Sequence, residues 1–431
     1  MQQAPFLNKI KQPVNKKTEG MRPISFQNRE LTEKEKRSID ILEILRRFGP
    51  ISRPEISQKL GVNIVTVSNY IEEFIKNKIV LEKELDISEG GRRPVLLDLN
   101  SRIAFAIGVG LNLTSMVGLL VDVKGNIILK TQLKRPGTSV KEILETVLDI
   151  IREIIRRSKD YTQNIKGIGV GMAGIINKQD GSIHWPERIS NHNYTYASVN
   201  LPLKDLIEKE FGLPTSIEND ATAACFGEQW LDLESGIRNI LYMVSGVGCG
   251  IMVNGQIYTG SKGSAGEVSI HNYKQDHLFN CSLGNPCFLK RWEIDLGIVE
   301  EVRNRFSVNP EQATQLSKLV NNKAEDIDLK SVFLAAREGD KIAKEALEIA
   351  AKRLGIRIAY LVNIFNPEVV VIGGGLEEAG EEFMIKVDQT IKEWAFREMT
   401  EDLKIVYSQL KENAVALGAA SLVVREIFAH V

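Results

Sequence analysis

Residues 88–100, Ser-Glu-Gly-Gly-Arg-Arg-Pro-Val-Leu-Leu-Asp-Leu-Asn, divide this chain into two parts with different architectures. Before them lie short helical patterns joined by tight turn signals. After them, apolar strand-like runs alternate with amphipathic helices to the end of the chain. At 431 residues the chain is too long for one compact core, so two or three domains are expected. The net charge of -1 hides an asymmetry: residues 1–100 hold 18 Lys+Arg against 14 Asp+Glu, the remainder 37 against 42. A basic bias at one end fits a footprint for phosphates.

Three segments read as helices in residues 31–100. Thr32 is placed to cap the first, with Glu35 at the capping-box offset, and Ile39, Ile41, Leu42, Ile44 and Leu45 recur at helical spacing until Phe48-Gly49-Pro50. Ser52 and Glu55 open a second helix that ends at Leu60-Gly61. Asn63 caps a third that runs to about Asn77. This is helix-turn-helix spacing, in which the third helix enters the major groove by its N-terminal end. On it Asn63, Ile64, Thr66, Ser68 and Asn69 are small or polar enough to approach base edges or phosphates. Val67, Ile71 and Phe74 form the opposite, core-facing stripe. Two strand-like runs follow, 80–86 and 94–99, joined at the Gly90-Gly91 tip as a hairpin wing. Arg92 and Arg93 there are placed for backbone or minor-groove contact. The competing reading of this head is a plain helical packing domain.

Residues 101–431 read as α/β. Ile103–Val109 and Ser115–Val121 are paired strands with a turn at Asp122-Val-Lys-Gly125; a helix from Val140 to about Ser158 precedes a buried strand at 165–171. Further strands begin at Asn239 and Val369, which implies two α/β lobes flanking a cleft. Five motifs occur in order: Gly90-Gly-Arg-Arg-Pro-Val-Leu-Leu, Gly169-Val-Gly-Met-Ala-Gly174, Ile217-Glu-Asn-Asp-Ala-Thr-Ala-Ala224, Gly263-Ser-Ala-Gly-Glu267 and Asn366-Pro-Glu-Val-Val-Val-Ile-Gly-Gly-Gly375. On these residues the chain, over roughly 35–430, resembles the ROK family (repressors, open reading frames and sugar kinases), in its branch with an N-terminal winged helix. The resemblance implies an actin-like, hexokinase-type ATPase fold for the body, and usually a dimer or tetramer.

It also implies a sugar site. Asp220 matches the carboxylate that serves as general base in the kinases, and Asn219 the amide that hydrogen-bonds the sugar. Carboxylate plus amide offers the acceptors and donors that vicinal hydroxyls need. Glu267 matches a sugar-binding glutamate, Gly174 sits in a loop passing close to the sugar, and Asn191 and Asn193 fall in a lobe-closing loop. Two motifs depart from the family pattern. Kinases of the family carry Asp-x-Gly-Gly-Thr at the first phosphate loop; this chain has Gly110, Asn112 and Leu113 at the Asp and two Gly positions, and keeps only Thr114. The second loop is partly kept as Ser245-Gly-Val-Gly-Cys-Gly250, and Gly373–Gly375 fall where an adenosine would lie. ATP is therefore not expected, and Asp220 is the vestigial base position with no catalytic role.

The family's zinc motif is altered too. His271, counted with the sugar site as well, stands one residue late; Cys281 and Cys287 are retained, the middle cysteine is absent, and His277 is an additional ligand candidate. Two readings stand: a tetrahedral zinc site from His271, His277, Cys281 and Cys287, or a loop without metal. Cys225 and Cys249 fall in apolar segments and read as small buried hydrophobes.

No window of 18 apolar residues exists and residues 1–30 lack an apolar h-region, so neither a membrane span nor a secretory signal is expected. Those residues read as a mobile polar arm. The four cysteines imply no disulfide framework, and a reducing cytoplasm is the expected setting. The reading is thus a homo-oligomeric, sugar-responsive transcriptional regulator, a repressor of carbohydrate uptake or catabolism genes, with operator DNA and a small sugar as partners. Its rivals are a ROK kinase that phosphorylates a hexose with ATP, and a constitutive DNA-binding protein.

Overall fold

The computed structural model describes residues 31–83, 95–112, 114–136, 140–188, 196–231, 233, 236–244, 248–268, 296–312 and 314–431. The head holds α1 (Glu33–Phe48), α2 (Arg53–Leu60), α3 (Ile64–Lys76), β1 (Val80–Lys83) and β2 (Leu96–Leu99). Its helix starts are set by side chains. Glu35 accepts from the Thr32 N–H at 2.7 Å, and Glu55 accepts from the Ser52 N–H at 2.9 Å. Gly61 ends α2 at φ 63, a left-handed conformation that costs a glycine nothing. Asn63 caps α3 by accepting from Val65 N–H at 2.8 Å. Val67, Ile71 and Phe74 are fully buried, as the helical stripe required. β1 and β2 pair antiparallel from Val80↔Leu99 to Lys83↔Leu96. The rest of the expected wing, Arg92 and Arg93 included, lies outside the described residues.

The first lobe is built on β3 (Phe105–Leu111), β4 (Ser115–Asp122), β5 (Ile127–Lys134), α4 (Val140–Arg157) and β6 (Ile165–Met172). It continues with β7 (Ile175–Asn177), β8 (Ser182–Arg188), β9 (Tyr196–Leu201), α5 (Leu203–Phe211) and β10 (Thr215–Asn219). The main sheet runs β10-β6-β3-β4-β5, with β6 and β10 parallel to β3; β7-β8-β9 form a separate small sheet. The first strand begins at Phe105, not Ile103, because Asn100–Ile103 form a turn closed by Ile103 N–H to Asn100 O at 3.1 Å. The Asp122–Gly125 turn leads into β5.

After α6 (Asp220–Leu231) comes the second lobe: β11 (Ile240–Val244), β12 (Gly248–Val253), β13 (Gln256–Ile257), α7 (Ile298–Val308), α8 (Thr314–Leu319) and α9 (Leu329–Arg337). It closes with α10 (Lys341–Phe365), β14 (Val369–Gly373), α11 (Glu381–Trp394), β15 (Lys404–Tyr407) and α12 (Ala414–Ala429). Its sheet, β13-β12-β11-β14-β15, repeats the first: an antiparallel meander, then two strands parallel to the first of the three.

The lobes are joined by crossed helices. α6 leaves the first sheet and packs on β11 and β12, whereas α12 leaves the second and packs on β3 and β6. The sequence permits this through small residues. In β3 the large residues Phe105, Ile107, Val109 and Leu111 face α4, while Ala106, Gly108 and Gly110 face α12. Where the helices cross, any side chain at Gly418 would fall on the Ala223 carbonyl. The head's core is continuous with this crossing, so α1–α3, α6 and α12 share one apolar cluster.

Candidate functional site

The carboxyl end of β10 and the first turn of α6 carry Asn219 and Asp220. Asn219 Oδ1 accepts from the N–H groups of Ala221 (3.0 Å) and Thr222 (3.3 Å), so this side chain caps α6. Its Nδ2 donates to Gly174 O at 3.3 Å, which brings the Gly174 loop to the site. Asp220 Oδ1 accepts from Ala221 N–H at 2.8 Å. Glu267 arrives from the second lobe: its backbone bridges to Gly248, and a Cβ on Gly248 would lie 3.9 Å from Asp220 Oδ1. Gly266, at φ 99, lets this segment pass against the Cys249 carbonyl, where a side chain has no room. Gly174, Asn219, Asp220 and Glu267 therefore lie near one another where the two lobes meet. His271, Asn191 and Asn193 lie outside the described residues.

Electrostatics sharpen the picture. Burial raises the Asp220 carboxyl to about 6, against the opposing pull of the Ala221 N–H and of Arg135. Glu267 is exposed to solvent; partial desolvation and then the charge of Asp220 push its carboxyl upward, to about 7. Two carboxyl groups titrating near neutrality can accept from or donate to sugar hydroxyls. Sequence reasoning missed two cations here. Arg135, just after β5, donates to the Asn112 carbonyl and carries its charge toward Asp220. Lys178 pairs with the buried Glu218, one residue before Asn219. Neither position stands out locally, because an Arg-Pro step and a Lys-Gln turn are ordinary surface patterns.

At the first phosphate loop, Gly110 packs directly against α12. A Cβ on Gly110 would lie 2.5 Å from Ala416 N and 2.8 Å from Val415 Cβ, so the first turn of α12 fills the place where the family kinases carry an aspartate. Asn112 is buried and donates through Nδ2 to Glu412 O at 2.7 Å. Leu113 lies outside the described residues, as do His271, His277, Cys281 and Cys287. Among the described residues no group of His, Cys, Asp and Glu could hold a metal ion. Cys225 and Cys249 are buried, and burial pushes both thiols up, Cys249 to about 12.

On the head, Asn63, Ile64, Thr66 and Asn69 are exposed at the N-terminal half of α3, and Ser68 is half-buried. Val65, which the sequence reading passed over, is 63% exposed beside them.

The ROK family model matches residues 106–426. The chain belongs to the ROK family. It is 30% identical to the xylose repressor of Caldicellulosiruptor bescii, covering 88% of this chain and 92% of that protein. It is 25% identical to the DNA-binding transcriptional dual regulator NagC of Escherichia coli, over 91% and 93% of the two chains. Among solved structures it is similar to a ROK family transcriptional regulator, homolog of the E. coli MLC protein (TM-score 0.68, 22% identity, 92% of this chain and 97% of that one). It is also similar to a ROK family glucokinase from Streptomyces griseus in complex with glucose and AMPPNP (TM-score 0.62, 24% identity, 74% of this chain and 99% of that one). The two-lobed body thus has the actin-like fold of ROK sugar kinases and repressors.

Proposed function

We propose that this protein is a sugar-responsive transcriptional repressor of carbohydrate uptake or catabolism genes, and that it does not phosphorylate sugar. The observation that carries this reading is the contrast within one cleft. Asn219, Asp220 and Glu267 are kept together, while Gly110 of the first phosphate loop packs against Val415 and Ala416 so closely that an aspartate has no room there. A kinase needs that loop open for phosphate, whereas a sugar sensor does not.

Residues 31–100 then form a winged helix-turn-helix domain and residues 101–431 the sugar-binding body, with 1–30 as an arm. In the head, α3 enters the major groove with Asn63, Ile64, Thr66, Ser68 and Asn69 toward bases or phosphates, and Arg92 and Arg93 reach the backbone or minor groove. A homodimer presents two heads to two half-sites. Tyr360, Ile364, Trp394 and Phe396 support such an assembly, since they stay exposed together where Phe396 N–H meets Asn363 Oδ1 at 2.9 Å. The names of the relatives make D-xylose, D-glucose and N-acetyl-D-glucosamine the first sugars to try. For zinc at His271, His277, Cys281 and Cys287, metal analysis of the purified protein decides between the two readings.

No helix among the described residues is long and apolar enough to cross a membrane. A cytoplasmic setting follows from the reading as a repressor.

Calorimetry with each sugar, paired with an ATP-consumption assay, separates sensor from kinase. The sensor binds one sugar and consumes no ATP. Sugar-dependent ATP consumption returns the kinase reading.

A further inference from the structure

We infer that α1 of the head reads the angle between the two lobes, through a clamp of Glu43, Arg46 and Arg47 on the C-terminal end of α6. The inference rests on the regulator reading and supplies its transmission.

α6 is one uninterrupted helix of 12 residues, about 18 Å long. Its first residue is Asp220, in the ligand cleft. Its last turn carries Gln229 and Trp230, and both are held by the head. Arg47 Nη2 donates to Gln229 O at 2.6 Å, and Arg46 Nη2 donates to Trp230 O. Cations at a helix C-terminus satisfy its last carbonyls and oppose its dipole. The Trp230 Nε1–H donates to Glu43, and the Arg46 guanidinium lies 4.2 Å over the Trp230 ring. Arg46 also pairs with Glu43 at 3.1 Å, with side chains only 5% and 18% exposed. A buried charged network of this kind tolerates little displacement, because each group that moves leaves a desolvated partner unpaired.

The head holds the first lobe separately. α1 packs on α12, which lies on β3 and β6. Asp98 of β2 is paired with Lys124 of the β4–β5 turn at 2.6 Å and with Lys83 of β1 at 2.5 Å. The head thus grips α12 and the β4–β5 turn on one side and α6, which rides on the second sheet, on the other. A sugar held between the Gly174 loop of the first lobe and Glu267 of the second closes the lobes, and α6, which rides on the second sheet, then moves relative to α12 on the first. With no loop between Asp220 and Trp230 to absorb it, the motion reaches α1 and turns the head.

The test uses the full chain with Trp230→Phe and Arg47→Ala combined. This keeps the ring but removes one donor to Glu43 and one to Gln229. DNA affinity is measured on a specifically bound fragment of the upstream region, with and without D-xylose, D-glucose and N-acetyl-D-glucosamine; sugar affinity is measured by calorimetry. In the wild type one sugar changes DNA affinity about tenfold or more, within the usual range of coupling. The double variant keeps its sugar affinity and its sugar-free DNA affinity within about threefold, while the sugar effect on DNA falls below about threefold. A sugar effect retained in full overturns the inference and leaves the regulator reading standing. A wild type indifferent to all three sugars overturns both. Arg47→Ala alone, with Arg47→Lys as the variant that keeps a donor, gives the same decision if the double variant does not fold: loss in the first and recovery in the second support the clamp, and no loss in the first overturns it.

Discussion

Asp220→Asn separates what the carboxylate costs the fold from what it does for the ligand. Asp220 is 8% exposed, and burial raises its carboxyl from 3.8 to about 6. A folded-state value above the unfolded one means that the native protein holds the proton more tightly between those two values. The associated stability is complete below about pH 4 and is lost as pH rises through about 6. A shift of about two units corresponds to roughly 3 kcal/mol. Asparagine has nearly the same shape, can accept the Ala221 N–H through its own Oδ1, and never ionises. The variant therefore matches the wild type near pH 4 and exceeds it by up to about 3 kcal/mol at pH 8, on the order of 5 °C in melting temperature for a body of this size. Its sugar affinity is abolished and its sugar-free DNA affinity is unchanged. Melting curves from pH 4 to 8 without ligand, with sugar calorimetry at pH 8, read both effects. A variant no more stable than the wild type at pH 8 means that burial does not raise the Asp220 carboxyl, and one that still binds sugar means that Asp220 is not in the sugar site.

Sugar affinity itself rises from pH 5 to pH 8. Hydroxyl donors favour the ionised carboxylate, and burial raises Asp220 to about 6; calorimetry across that range in buffers of differing ionisation heat also reads the proton release. Gly110→Asp, which restores the family aspartate, does not restore a kinase. With Ala416 N 2.5 Å from the new Cβ, it destabilises the body by at least about 3 kcal/mol through overpacking and an unpaired buried charge, as a urea midpoint shows, and ATP consumption stays at background. Arg92→Ala with Arg93→Ala weakens DNA binding about equally across sequences. It lowers the slope of log affinity against log salt by about 2, as titrations at several salt concentrations show.

The head was legible because its boundaries are written in local chemistry. Thr32 with Glu35, Ser52 with Glu55, Gly61 and Asn63 each act within a few residues of where they stand, and a reader of one sequence sees all of that interaction. Buried strands such as 165–171 and 369–373 were legible as apolar runs. β5 was missed because Ile127–Lys134 mixes lysines and half-exposed apolar residues, as befits an edge strand. The small sheet over 175–201 was missed for want of a sustained apolar alternation. The departure at Gly110, Asn112 and Leu113 is visible in the sequence, but what packs against Gly110 is not, because Val415 and Ala416 lie some three hundred residues further along the chain. The one local clue was the alternation of small residues at Ala106, Gly108 and Gly110 against the small-residue run in Ala414–Ser421. Glu43, Arg46 and Arg47 carry no signal in the sequence; their partners are Gln229 and Trp230, far along the chain.

As a sugar-gated repressor, one molecule couples a sugar site to a DNA-binding head. Fluorescence anisotropy of the full chain on DNA from its own upstream region, titrated with D-xylose, D-glucose and N-acetyl-D-glucosamine at fixed salt, tests it most directly. A sugar-gated repressor binds specifically, one of these sugars changes that binding about tenfold or more, and Asp220→Asn makes it insensitive to that sugar. Specific binding that none of the sugars alters, or no specific binding at all, contradicts it.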